Sequence, residues 1–151
     1  MATAQAWYFA YGSNMSRAQM RSRAGAVLSE QPARLESYEL IFNKKVRGGT
    51  ASANIRPAPG RVVHGVLYQI PESAFRNLDR FESAPEHYRR IEVTVTDSAG
   101  KKIPAQVYIA TRVEAGLRPA AHYLKTILYG AGEHGLPEEY IGVVKAAAGA
   151  A

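Results

Sequence analysis

The chain contains no cysteine. Disulfides, thiolate nucleophiles and cysteine-bound metals are therefore excluded, although that absence does not fix a compartment. No apolar run reaches the roughly 18 residues a membrane helix needs. The opening Met1-Ala2-Thr3-Ala4-Gln5 lacks the basic-then-apolar pattern of a secretory signal, so the expected location is cytoplasmic. Acidic residues are the scarcer sign, with 13 Asp and Glu against 19 Lys and Arg and a formal net charge of +6. The cations are scattered, and the densest groups, Arg17/Arg21/Arg23 and Lys44/Lys45/Arg47, are short. That distribution points to a solvated surface attractive to acidic small molecules rather than to nucleic acid.

Several chemical signatures are also missing. Gly12 is isolated and no lysine follows at phosphate-loop spacing. His64, His87, His122 and His134 lie far apart, and no pair has the spacing of a helical metal site. Gly-x-Ser-x-Gly is absent, so Ser13 has no nucleophile elbow. Neither a metal nor a cofactor is expected.

What remains is an ordinary globular composition. With 151 residues, 46% apolar and 21% charged, the chain suits a single domain spanning 1–151, its small-residue tail Ala146–Ala151 expected to fray. Trp7 to Tyr11 reads as a buried strand. Ser13 or Asn14 is placed to cap a helix over Ser16–Arg23 that ends near Gly25. Glu30-Gln31-Pro32 reads as a break, Arg34–Phe42 as a half-buried strand, and Asn43–Ser52 as a mobile loop. Ala53–Arg56 is a short strand closed by Pro57, Pro59 and Gly60. Arg61–Ile70 is a stronger strand, whose Gly65 implies a bulge or a close approach.

Pro71-Glu72 opens a helix with Phe75, Leu78 and Phe81 on its buried face. Tyr88–Thr96 and Lys102–Thr111 form a hairpin about Asp97–Gly100. A helix carrying Tyr123, Ile127 and Leu128 runs from Arg118-Pro119 to Gly130, and another begins at Glu138-Glu139. Strands cluster in the middle and do not alternate with helices. The expected class is α+β, with a mixed, mostly antiparallel sheet able to curl into a barrel.

Two stretches could carry chemistry. Tyr8-Phe9-Ala10-Tyr11-Gly12-Ser13-Asn14 is a strand running into a small, polar turn whose unpaired N–H groups suit an anion; it also reads as a first core strand with an ordinary capped turn. Leu78-Asp79-Arg80-Phe81-Glu82-Ser83-Ala84-Pro85 sets Glu82 among apolar neighbours near a helix C-terminus, where both desolvation and the dipole raise a carboxyl pKa. A solvated glutamate in a helix-to-strand loop is the plainer alternative.

Together these stretches resemble the γ-glutamylcyclotransferase family. The likeness begins at Tyr8-Phe9-Ala10-Tyr11-Gly12-Ser13-Asn14-Met15. It continues through Gly65-Val66-Leu67-Tyr68, Leu78-Asp79 with Glu82, and Tyr88. It closes on Tyr123 and the run Tyr129-Gly130-Ala131-Gly132-Glu133-His134-Gly135-Leu136-Pro137-Glu138-Glu139-Tyr140. Two departures are His64, where the family usually has an aromatic, and the Lys44-Lys45-Val46-Arg47-Gly48-Gly49 segment, which is this chain's own.

The resemblance implies a small mixed barrel with flanking helices, acting without cofactor or metal on a small-molecule γ-glutamyl compound and releasing 5-oxoproline as part of glutathione metabolism. It places substrate at Tyr8, Phe9, Ala10, Tyr11, Gly12, Ser13 and Asn14, with Tyr88 and Tyr123 as further pocket residues and Glu82 as the general acid/base. It implies no nucleic-acid or membrane partner and leaves a homodimer open. A non-catalytic module binding an acidic metabolite on the same scaffold is the competing expectation, although a binder has no need of a desolvated acid.

Overall fold

β1 (Gln5–Ala10) is the strand on which the sheet closes. In the computed structural model, which describes residues 4–149, it pairs antiparallel with β3 (Ala51–Pro71), from Gln5 opposite Pro71 to Ala10 opposite Val66. Its other edge meets β5 (Lys102–Ala110) in parallel at Tyr8 and Gln106. With β2 (Ser29–Lys45) and β4 (Tyr88–Asp97) the strands form a closed barrel in the order β1-β3-β2-β4-β5. All pairings except β1–β5 are antiparallel, so the mixed barrel is the expected one. Tyr8, Phe9, Val63, Leu67, Tyr68, Ile70, Val95 and Val107 are among the residues filling its core.

Gly65 proves to be a close approach. A Cβ there would run into the Ala10 carbonyl oxygen and come within 2.8 Å of the Phe9 ring, so only glycine lets β1 lie this close to β3.

Four α-helices accompany the barrel: α1 (Arg17–Ala24), α2 (Phe75–Phe81), α3 (Ala121–Glu133) and α4 (Glu138–Ala147). A one-turn 3-10 helix, Ser13–Met15, joins β1 to α1. The N-cap of α1 is Ser16, whose hydroxyl accepts the Gln19 N–H, so neither Ser13 nor Asn14 caps it. Gly25, at φ 86°, stops α1 where expected.

Several strand boundaries differ from expectation. Glu30-Gln31-Pro32 is no break but the start of β2, opposite Tyr68, Leu67 and Val66. Proline is tolerated there because β4 pairs with β2 only at Ala33 and Arg34, leaving Pro32 outside that second ladder. Pro57, Pro59 and Gly60 likewise do not end a strand. β3 runs through them, and the irregularity is a bulge in which residues 58–61 oppose Ser37, itself at φ 64°. Beyond that bulge the β2–β3 hairpin continues to Lys45 and Ala51, so the loop is only residues 46–50.

Phe81 lies 57% exposed rather than on the buried face of α2, where Phe75 and Leu78 do the packing. α3 begins at Ala121 and passes through Gly130. α4 reaches Ala147, and Ala148 is buried, so the start of the tail is ordered; residues 150–151 and the opening residues 1–3 lie outside the described range.

Candidate active site

The β1–α1 junction forms one wall of a cavity of about 530 Å³. Tyr8, Tyr11, Gly12, Ser13, Asn14, Glu82, Tyr88 and Tyr123 all line it, so residues from four separate chain segments meet there. Phe9 and Ala10 do not reach it; both are fully buried in the barrel core.

Asn14 holds the junction together. Its side-chain oxygen accepts from Gln19 Nε2 and Arg23 Nη1, both at 3.1 Å. Its amide nitrogen donates to the Tyr8 hydroxyl at 3.0 Å, and its carbonyl oxygen accepts the Tyr68 hydroxyl at 2.7 Å. Gln19 and Arg23 stand four apart on α1 and therefore share a face. The opening N–H groups of the 3-10 turn have no intrahelical acceptor and belong to residues on the cavity wall.

α3 braces this junction from behind. A Cβ on Gly130 would sit 2.5 Å from both the Met15 carbonyl carbon and the Ser16 nitrogen, so the helix packs directly against backbone.

The tyrosines are distinguished by where their protons go. Tyr11 donates to the Tyr108 carbonyl oxygen at 2.6 Å, and Tyr88 to the Ala53 carbonyl oxygen at 2.8 Å, so both protons are used within the fold. Tyr123 instead accepts the Ala53 N–H at 2.9 Å, and Tyr8 accepts from Asn14. A phenol that accepts keeps its own O–H available, which makes Tyr8 and Tyr123 the two donors left facing the cavity. Burial raises the pKa of both phenols, that of Tyr123 to about 12, and keeps them protonated at neutral pH.

Glu82 is the one carboxylate among the residues lining this cavity. It forms the C-cap of α2, its N–H donating to Leu78 O at 2.9 Å, so the negative end of that helix lies beside it. Burial pushes its carboxyl up to about 7, and Arg23 holds it from rising further. Its charge in turn raises the phenols of Tyr8, Tyr11, Tyr88 and Tyr123, which marks it as their common neighbour.

Gln19, Arg23, Ser52 and Tyr108 also contribute to the wall and were not foreseen, and Lys44, expected in a mobile basic loop, lines it from a strand. The i, i+4 spacing of Gln19 and Arg23 is the one signal that could have found them. Lys44, Ser52 and Tyr108 arrive through the hairpin fold-back and barrel closure, which no local pattern reports.

The sequence profile of the AIG2-like family matches residues 62–143, more than half of the chain. A relative from Bos taurus named γ-glutamylcyclotransferase is 36% identical over 140 residues, covering 88% of this chain and 73% of its own. Its namesake from Homo sapiens is 35% identical over 146 residues, covering 92% and 77%. A solved structure described as γ-glutamyl cyclotransferase superimposes with a TM-score of 0.87 at 32% identity, over 95% of this chain and 88% of that one. The chain belongs to the γ-glutamylcyclotransferase family, within the AIG2-like proteins, and is an enzyme of that family.

Proposed function

We propose that the cavity converts a γ-glutamyl compound into 5-oxoproline and a free amine, with Glu82 as the acid/base. The observation that carries this reading is a half-buried carboxyl, pushed up to about 7, in the same cavity as a turn with unpaired N–H groups and two free phenol donors. The Gly12–Asn14 amides would hold the substrate's α-carboxylate and fold its chain so that the α-nitrogen faces the γ-carbonyl. That preorganisation supplies much of the rate, because well-aligned intramolecular attack has a large effective molarity.

The Glu82 carboxylate takes a proton from the α-ammonium group. The freed nitrogen attacks the γ-carbonyl carbon, and Tyr8 and Tyr123 donate to the oxygen as charge develops there. The bond from the γ-carbon to the departing nitrogen then breaks as Glu82 gives that nitrogen the first proton, and the second proton passes from the ring nitrogen through the regenerated Glu82 carboxylate to the released amine, which leaves as an ammonium. Proton and charge balance close without an enzyme nucleophile, in keeping with a chain that has no cysteine.

The magnitude favours this assignment. Transfer from an α-amine near 8 to a glutamate near 4.3 costs about 5 kcal/mol. With the carboxyl at about 7 the cost falls to about 1.4 kcal/mol.

The test is Glu82→Gln against a panel of γ-glutamyl amino acids, amines and peptides. Wild type should release 5-oxoproline from at least one member, and the variant should bind it with turnover lowered by about 10³-fold or more. An active variant overturns the acid/base role. A panel from which wild type releases no 5-oxoproline, yet one member of which raises its melting temperature, favours a binding module instead.

A further inference from the structure

Lys44 is buried to 4% exposure and lines the cavity, yet it forms no ion pair among the described residues. Its one hydrogen bond is from Nζ to the Lys45 carbonyl oxygen at 2.9 Å, which leaves two of three ammonium donors without a protein acceptor. A buried cation without a counter-ion is costly, and lysine is almost never fully buried unless paired.

The surroundings add positive charge rather than balance it. Arg112 lies close enough to disfavour the Lys44 charge, and the cavity rim carries Lys45 and Arg47. Glu114 pairs with Lys45 instead, at 3.7 Å, where both side chains are more than half exposed. Glu82 is the cavity's single carboxylate, and Arg23 is the cation that acts on it.

We propose that Lys44 receives the side-chain carboxylate of the departing amino acid, so that the preferred substrates are γ-glutamyl derivatives of acidic amino acids. This rests on the cyclotransfer reading and narrows its substrate class. The hairpin supplies the geometry: Lys44 sits opposite Ser52 in the β2–β3 ladder and bridges to Val113, which fixes its backbone at the cavity wall. The next residue past Ser52 is Ala53, whose N–H and carbonyl oxygen are taken by Tyr123 and Tyr88. Lys44 therefore lies one step along the hairpin from the backbone that anchors Tyr123, one of the two donors to the reacting carbonyl. With the α-carboxylate held at the Gly12–Asn14 turn, the departing portion is the part of the substrate left to meet it. Arg47 at the rim would attract such ligands during approach.

The experiment compares three substrates that share the γ-glutamyl end: γ-glutamyl-glutamate; its near-isostere γ-glutamyl-glutamine, whose departing amine keeps the α-carboxylate but has a neutral side chain; and γ-glutamyl-propylamide, which carries no carboxylate on the departing amine. Wild type should prefer glutamate over glutamine by about tenfold in kcat/KM, the size expected for one added charged hydrogen bond. Lys44→Met and the more conservative Lys44→Gln should each lower kcat/KM at least about tenfold more for γ-glutamyl-glutamate than for either γ-glutamyl-glutamine or the propylamide, chiefly through KM.

Equal losses on γ-glutamyl-glutamate and γ-glutamyl-glutamine would place Lys44 at the α-carboxylate or at the γ-glutamyl end and overturn the proposal, as would no loss at all. If the variants fail to fold, the wild-type ratio decides, and a ratio of one or below overturns it. Absence of 5-oxoproline from every substrate would instead defeat the cyclotransfer reading.

Discussion

The Tyr68 hydroxyl donates to the Asn14 carbonyl oxygen at 2.7 Å and reaches Met15 O at 3.2 Å, tying the barrel wall to the turn that lines the cavity. Tyr68 is fully buried in β3, and water cannot replace that donor. Tyr68→Phe strips the buried Asn14 carbonyl of its partner and should cost about 1–3 kcal/mol of stability. Denaturant unfolding measures the cost. A parallel fall in kcat/KM, with Tyr68 itself outside the cavity lining, would show that the turn's position matters to turnover.

Two glycines on one helix provide an internal control. A Cβ at Gly130 meets the Met15 and Ser16 backbone at 2.5 Å, whereas one at Gly132 meets nothing within 4 Å. Gly130→Ala should push α3 away from the turn, costing about 1–3 kcal/mol and lowering kcat/KM. Gly132→Ala should leave activity unchanged and gain up to about 1 kcal/mol from helix propensity. Thermal unfolding with an activity assay distinguishes them, and equal effects would refute the close-packing account.

Glu82 gives a pH dependence with a definite sign. Its folded pKa is pushed up to about 7 from an ordinary 4.5, so the folded state holds this proton more tightly than the unfolded chain. Its contribution to stability is complete below about 4.5 and is lost as pH rises through about 7. Glu82→Gln removes that loss, so the variant should gain on wild type between pH 5 and pH 8 by roughly 1–3 kcal/mol in denaturant unfolding. In catalysis the base form is the active one at the outset, so kcat/KM should rise with pH along a limb centred near 7. Arg23 lowers this pKa, so Arg23→Gln should move the limb to higher pH, and Arg23→Lys should restore it. A limb that stays put in Arg23→Gln would mean another group titrates.

Much of the fold is local and was readable in the sequence. β1, α1 with Gly25, the β4–β5 hairpin, the start of α4 and the barrel class all follow from periodicity and turn residues. The misreadings share one cause. Pro32, Pro57, Pro59 and Gly60 are punctuation by local pattern, but tertiary pairing carries β2 and β3 through them, once at an open edge and once across a bulge. Phe81 fits a helical apolar face by spacing, yet α2 turns it outward, where the Arg23 guanidinium stacks 5.0 Å from its ring.

The candidate site divides in the same way. Gly12–Asn14 and Glu82 stood out because a strand-to-turn switch and an acid among apolar neighbours are local patterns. The role of Asn14 as the hub for Tyr8, Gln19, Arg23 and Tyr68 was not readable, since its partners span residues 8 to 68. Lys44 looked like part of a solvated basic loop. Only the longer hairpin shows it to be an interior residue.

Barrel closure has a kinetic consequence. The parallel seam between β1 and β5 joins Tyr8 to Gln106, and the Tyr11 hydroxyl spans 97 positions to reach Tyr108. Ordering so long an intervening segment before any of these bonds forms makes the assembly a slow, late event relative to the β4–β5 hairpin. A newly made chain therefore acquires its hydrophobic interior piecemeal and gains a working pocket only when its first and fifth strands finally meet.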